Sequence, residues 1–78
     1  MTLDESDLEL IKRLVDRLER LSADSTYAHR ASGLRGTLLR YVQRMETAEI
    51  IDLDELNRQV ELGFSILKNA AKEVGASR

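Results

Sequence analysis

Apolar residues recur along the chain at the three- and four-residue spacing of amphipathic helices, in three separate segments. The apolar positions of the first segment are Leu8, Ile11, Leu14, Val15, Leu18 and Leu21. Successive residues of an α-helix are rotated by about 100°, so these positions form one stripe, wide enough to contact two neighbouring helices. Acidic residues precede the stripe, and Ser6 with Glu9 has the sequence of a capping box. The pattern predicts a first helix over residues 4–21.

A second segment spaces its apolar residues by four and three positions in alternation, as in a coiled-coil seam. These residues are Tyr27, Ala31, Leu34, Leu38, Tyr41 and Met45. The polar run before them offers Asp24 or Ser25 as an N-cap. The spacing predicts a second helix over residues 25–46.

The third segment has the clearest start in the chain, because Asp52 can act as the N-cap with Glu55 three residues later. Ile51 is placed to pack onto Leu56 as a hydrophobic staple. The heptad continues through Leu53, Leu56, Val60, Gly63, Leu67, Ala70 and Val74, and Phe64 and Ala71 widen it. Gly75 offers a C-cap, so the predicted helix covers residues 52–74 and a frayed tail covers 75–78.

The chain is one small domain over residues 1–78, with four glycines and no proline to build long loops. Short connections favour antiparallel neighbours, so the predicted fold is an all-α, up-down-up three-helix bundle. A chain of this size buries only about 60% of the surface that it exposes when unfolded. We therefore also expect dimerisation into a larger helical bundle, or help from a partner. Two long helices that dimerise are the competing arrangement.

Apolar residues fall off these stripes on all three predicted helices. They are Leu10, Leu39, Leu62 and Ile66, with the smaller Ala28 on the second helix. Leu62 and Ile66 are four residues apart and are predicted to project opposite the main seam of the third helix. These residues predict a second apolar surface that serves an oligomer or a partner helix. The alternative is that tilted helices bury wider arcs than an ideal helical wheel indicates.

Composition is typical of a globular chain, with 42% apolar and 33% charged residues and a formal net charge of −2. The chain has no cysteine, which excludes disulfides, thiolate zinc sites and cysteine nucleophiles. This net charge favours neither general nucleic-acid affinity nor attraction to anionic membranes.

Charge is nevertheless segregated along the chain. Ser25 to Met45 contains four arginines and no acid, and Glu46 to Glu55 contains five acids and no base. Arg30, Arg40 and Arg44, together with His29, fall within an arc of about 100° opposite the apolar seam. The plain interpretation is a solvated polar face. The functional one is a surface for an acidic groove or a phosphate-bearing partner.

Gly33 and Gly36 interrupt the second helix at a cost of about 1 kcal/mol each relative to alanine. They lie on the predicted outer face beside His29, where they could clear space for a partner to approach the imidazole. A helix break after Ser32, or close helix packing through small residues, would also explain them.

The spacing of His29, Gly33 and Gly36 resembles that of histidine phosphotransfer (HPt) domains, which are four-helix bundles with an exposed helical histidine. The resemblance implies that His29 accepts the phosphoryl group, while Gly33 and Gly36 leave room for a docking receiver domain. It covers residues 29–36 only. Ser32 stands where these domains usually carry a basic residue, and the chain is short for such a bundle unless it dimerises.

The sequence favours a small helical interaction or regulatory module without catalytic activity of its own. Its partner would be a second copy or a protein with an acidic patch. The alternatives are phosphotransfer through His29 and weak nucleic-acid binding through the arginine face, which lacks aromatic residues to stack bases.

No cofactor and no metal site are predicted, because one histidine and no cysteine leave no ligand cluster. No apolar run approaches the length of about 20 residues that crosses a bilayer, and the chain start lacks a signal-peptide pattern. These features predict a cytoplasmic protein with no membrane partner.

Overall fold

The computed structural model describes the backbone of residues 5–76 and the side chains of residues 6–73. Its helices are α1 (Glu5–Glu19), α2 (Ala28–Glu46) and α3 (Leu53–Ala76), and no strand occurs among the described residues. The prediction of an all-α three-helix bundle is confirmed. The predicted first residue of α1 and the last two residues of the predicted tail lie outside the described range.

Contacts between the helices establish the up-down-up order. Lys12 Nζ in α1 lies 3.7 Å from Glu46 Oε1 at the end of α2. Just before α2, the backbone N–H and the hydroxyl of Thr26 donate to the carboxylate of Glu73, near the end of α3, over 3.2 and 2.5 Å. Consecutive helices are therefore antiparallel, and α1 and α3 run in the same direction.

The core lies along the axis between the helices and consists of aliphatic side chains from all three. Its buried members are Ile11, Leu14, Val15, Leu18, Ala31, Leu34, Leu38, Val42, Leu56, Ile66 and Ala70. The apolar stripe predicted for α1 is confirmed, because its four central residues are all buried. Burial of this aliphatic surface is the main term that stabilises the bundle.

The structure corrects one predicted interface residue. The helical wheel predicts that Ile66 projects outward, but Ile66 is 4% exposed and belongs to the core. Gly63 lies against Leu14, as its place in the predicted heptad indicates, but α3 buries a wider arc on this side than the helical wheel assigns to it. Ile66 is then only about 60° from the centre of the buried face, whereas Phe64, predicted to widen the seam, is about 100° away. Phe64 is accordingly 45% exposed.

Several helix ends also differ from the prediction. Ser25 does not cap α2, because its carbonyl and hydroxyl accept the N–H groups of Ala28 and Tyr27 in a turn over 3.1 Å each. α2 therefore begins at Ala28, with no side-chain cap hydrogen bond at Tyr27.

α1 ends at Glu19, two residues before the predicted end. Ser6 lies inside the described helix, after Glu5, so it is not the N-cap of the predicted capping box. α3 continues through Gly75 to Ala76, so Gly75 is not a C-cap. The predicted cap of α3 is confirmed, since the backbone N–H of Glu55 donates to Asp52 Oδ1 over 3.1 Å.

The connection from α2 to α3 opens with a Schellman motif. The N–H of Glu49 donates to the carbonyl of Arg44 over 2.9 Å, and that of Ala48 to the carbonyl of Met45 over 3.2 Å. Ala48 has a φ of 57°, in the left-handed region where glycine is usual. The next apolar residue, Ile50, is 100% exposed.

Ala48→Gly should stabilise the protein by about 1 kcal/mol, because glycine adopts a positive φ without the steric cost of a Cβ atom. Thermal and urea unfolding followed by circular dichroism would measure the change. Ala71→Gly is the matched control. Ala71 is an exposed alanine inside α3, where glycine should cost about 1 kcal/mol. If Ala48→Gly and Ala71→Gly changed the free energy of unfolding in the same direction, this account of the turn would be contradicted.

Candidate functional site

The outer face of α2 carries all six residues predicted to bind a partner: His29, Arg30, Gly33, Gly36, Arg40 and Arg44. The helix is continuous from Ala28 to Glu46, so the question of a break after Ser32 is settled. Gly36 is half-buried and the other five residues are exposed. They project away from the buried side of α2, which includes Leu34 and Leu38.

The arginines of α2 have no carboxylate partner within residues 6–73. Ion pairs in that range join Lys12 to Glu46, Arg20 to Asp16 and Arg58 to Glu55. Arg40 instead donates to the hydroxyl of Thr37 over 3.3 Å, and the guanidinium of Arg44 lies 5.9 Å from the centroid of the Tyr41 ring. These contacts hold two guanidinium groups along the helix and leave their charges without a counter-charge.

Formal charge is divided between this helix and the rest of the molecule. Residues 25–45 carry four arginines and no acid, so their formal charge is +4 without His29. The rest of the chain carries the other eight lysines and arginines (12 − 4 = 8) and all 14 acids, which gives −6. Three of the four arginines, Arg30, Arg40 and Arg44, lie on the outer face of α2, so that face is basic on a protein that is acidic overall.

Neither glycine of the outer face is required by packing within the chain. A Cβ atom built at Gly33 or at Gly36 meets no atom within 4 Å, so close packing through small residues is not their role here. Gly63 on α3 is different, because its Cβ would lie 2.8 Å from Leu14 Cδ2. Gly33 and Gly36 thus leave open space over a helix that they weaken.

Gly33→Ala and Gly36→Ala should each raise the free energy of unfolding by about 1 kcal/mol, because alanine favours the helix and has room for its methyl group. Urea unfolding of the two single variants would measure this. Ala31→Gly, at a fully buried position of the same helix, should destabilise the protein and serves as the control. If Gly33→Ala and Gly36→Ala both destabilised the protein, the two glycines would have a structural role inside the chain.

The four residues predicted to form an apolar interface do not make one surface. Ile66 is in the core, while Leu10 and Leu62 are 46% and 49% exposed. Leu39 is half-buried and lines a shallow groove of about 350 Å³ between α1 and α2. Val15 and Val42 complete its apolar lining, and its charged lining residues are Lys12, Asp16, Glu19 and Glu46. Since α3 does not line this groove, Leu62 belongs to a different surface from Leu39.

Ile50 is an exposed apolar residue that the sequence prediction missed, in addition to Phe64. It is 100% exposed, more than Leu10, Leu62 or Phe64. The sequence does contain a signal, because Ile50 and Ile51 are adjacent before the Asp52 cap and only one of them can occupy the staple position.

The described part of the chain contains one histidine, His29, and no cysteine. No group of three or more His, Asp or Glu side chains in it is arranged to hold a metal ion. No described side chain hydrogen-bonds to the His29 imidazole, so none orients it as a general base. Within the same residues, no helix has both the length and the apolar character needed to span a membrane.

The fold and this surface define a three-helix bundle with a basic, unpaired outer helix face. No protein-family model, curated protein or solved structure matches the chain.

Proposed function

We propose that the protein is an interaction module, without catalytic activity of its own, in which the outer face of α2 binds an acidic surface of a partner protein. One observation carries the proposal. Four arginines lie on a helix whose first 18 residues, Ala28–Met45, contain no acid, and none of them pairs with a carboxylate within residues 6–73. A partner would supply the missing counter-charges.

The arrangement is unfavourable for the isolated helix. Arg40 and Arg44 are like charges four residues apart, which costs a few tenths of a kcal/mol. Gly33 and Gly36 add about 1 kcal/mol each relative to alanine. No close packing inside the chain offsets the free-energy cost of the two glycines. Binding of a partner gives both features a role, because the arginines attract it and the glycines let it approach the backbone.

A protein partner fits this face better than nucleic acid does. No Phe, Tyr or Trp ring is exposed there to stack a base, since Tyr41 is half-buried beneath Arg44 and His29 is the one exposed ring of this face. The formal charge of −6 on the rest of the chain opposes a polyphosphate that extends beyond α2. Self-association and a cytoplasmic location stay predictions from the sequence.

Charge-reversal variants test the proposal against a labelled decaglutamate peptide as the acidic probe. Arg40→Glu with Arg44→Glu should weaken peptide binding by about tenfold or more, measured by fluorescence anisotropy at low salt. The matched control is Arg13→Glu with Arg17→Glu, two exposed arginines with the same four-residue spacing on α1. The control changes net charge equally and should keep the affinity within about twofold.

Equal losses in the two double variants would mean that the total charge of the protein, and not one face, controls peptide binding, which contradicts a specific face. A short DNA duplex that binds more tightly than the peptide, with a steep salt dependence, would favour nucleic-acid binding instead. Decaglutamine is the uncharged reference peptide. Circular dichroism of each variant verifies that the bundle is intact.

Phosphotransfer through His29 is the second candidate, and the open space at Gly33 and Gly36 favours it. A receiver domain could approach the exposed imidazole across these two positions. In the reaction, the phosphoryl group would leave the aspartyl phosphate of the receiver and bond to a ring nitrogen of His29, which regenerates the receiver carboxylate.

Incubation with a panel of phosphorylated receiver domains should then give an acid-labile phosphoprotein, detected by mass spectrometry. His29→Gln is the matched variant and should give none. A wild-type chain that stays unmodified with every receiver, while each receiver is verified as phosphorylated, would contradict phosphotransfer.

A further inference from the structure

The turn between α2 and α3 presents an isolated apolar side chain among carboxylates. We define the acidic turn as residues 46–55, which carry five acids and no base. Ile50 lies in its middle and is wholly exposed. Hydrogen bonds from Ala48 and Glu49 to α2, and the Asp52 cap of α3, fix the turn at both ends. Ile50 is therefore held in solvent by an ordered backbone.

We propose that the acidic turn of one copy docks on the outer face of α2 of a second copy. Ile50 would fill the open space over Gly33 and Gly36, and Glu49 and Asp54 would lie near the unpaired arginines. This inference rests on the proposed function, because it names the acidic partner surface as one that the chain itself carries.

Charge and exposed apolar surface both support a second copy as the occupant. Of the five acids in the turn, Glu46 pairs with Lys12 and Glu55 with Arg58, so three carboxylates have no cationic partner within residues 6–73, and the four arginines of residues 25–45 have no anionic one. A Cβ atom added at either glycine would meet nothing within 4 Å, so the helix surface there is open, and Ile50 supplies an apolar group of which no part is covered. Opposite charges around an apolar anchor are the usual composition of a specific protein interface.

The position of the two surfaces requires contact between copies. Gly36 lies ten residues before the end of α2, a distance of about 15 Å along the helix, so the turn of a copy cannot reach its own glycines. In a twofold dimer, Ile50 of each copy would contact Gly36 of the other copy. Arg40 and Arg44 of the two copies would then come together around the twofold axis. Repulsion there disfavours that dimer and favours head-to-tail contacts, which extend into longer assemblies.

Molar mass as a function of concentration is the first readout. Light scattering after size exclusion at about 0.05 M NaCl should show a mass that rises steadily from the 8.9 kDa monomer between about 10 μM and about 1 mM. At about 0.5 M NaCl the mass should return to that of the monomer. A monomer under all conditions would overturn the inference, and so would a salt-insensitive dimer.

Complementary charge reversal identifies the surfaces. Arg40→Glu with Arg44→Glu makes the helix face acidic, and Glu49→Lys with Asp54→Lys makes the turn basic. Each variant alone should stay monomeric, because its helix face and its turn then carry the same charge. An equimolar mixture should associate again, because the basic turn of one variant can bind the acidic helix face of the other, and the acidic turn can bind the basic helix face. A mixture that remains monomeric, when the wild-type protein associates, would place the contact elsewhere and overturn the inference.

Ile50→Ser tests the apolar anchor, with Leu62→Ser as the matched control at another exposed aliphatic position. Ile50→Ser should weaken association by about tenfold or more, and Leu62→Ser should not change it. Loss in Leu62→Ser alone would assign association to the apolar surface predicted from the sequence. If the wild-type chain never associates but still binds decaglutamate through Arg40 and Arg44, docking between copies fails while the proposed function stands.

Discussion

Ile66→Asp is expected to abolish the fold, whereas Leu62→Asp leaves it intact. Ile66 is 4% exposed and packs in the core, so aspartate there would bury a carboxylate without a partner. The cost is several kcal/mol, comparable with the stability of about 4–12 kcal/mol that is typical of a domain this size. Leu62 is 49% exposed, so the same substitution keeps its carboxylate in water. Far-ultraviolet circular dichroism and urea unfolding would distinguish the two variants.

These positions are matched, because both are aliphatic residues of α3 and lie four residues apart. Ile66→Val provides a conservative control that should cost only about 0.5–1.5 kcal/mol. A helical, cooperatively unfolding Ile66→Asp protein that merely changed its oligomeric state would contradict the core placement of Ile66. It would support the outward orientation predicted from the sequence.

The contact between Leu14 and Gly63 provides the second large effect. Leu14 is 1% exposed, and Leu14→Ala should cost about 2–5 kcal/mol through lost burial and the cavity left behind. Gly63→Ala places a methyl group 2.8 Å from Leu14 Cδ2. We expect overpacking of about 1–3 kcal/mol to outweigh the helix-propensity gain of about 1 kcal/mol. Gly63→Ala should therefore destabilise the protein, opposite in sign to Gly33→Ala.

A double-mutant cycle isolates this contact. Once Leu14 is alanine, the methyl group at position 63 occupies vacated space, so Gly63→Ala should become stabilising. The coupling free energy should be about 1–3 kcal/mol, measured by urea unfolding of the four proteins. Additive effects would mean that α1 and α3 do not meet at these residues.

Local patterns predict the helices well where a single interaction determines the outcome. The stripe of α1 faces the core as predicted, and the Asp52 side chain caps α3. The predicted start of α2 is wrong, because Ser25 can either cap a helix or accept N–H groups in a turn, and the sequence does not distinguish the two. Helix ends are set by such local competition.

The arc that α3 buries cannot be predicted from the sequence. The heptad places Gly63 in the seam, and Gly63 does lie against Leu14, but several faces of this helix carry apolar residues. Packing between residues far apart in the chain sets the limits of the arc, and in the structure Ile66 is buried and Phe64 is exposed. The helical wheel consequently assigns one aliphatic residue to an interface when it belongs to the core.

The outer face of α2 is easier to predict, because its residues share one helix and depend only on the helical period. His29, Arg30, Arg40 and Arg44 are exposed in the structure as the spacing indicates, and their role in binding stays a prediction. The exposure of Ile50 depends on the turn conformation at Ala48, which no periodic pattern reports.

The most direct test of the central claim is a residue-by-residue map of where an acidic partner contacts the chain. Backbone amide spectra of the ¹⁵N-labelled protein, titrated with decaglutamate at low salt, provide that map. Binding through α2 predicts chemical-shift changes concentrated between His29 and Arg44, with large changes at Gly33 and Gly36. Changes centred on the groove between α1 and α2, or spread evenly over all three helices, would contradict the assignment of α2 as the binding surface.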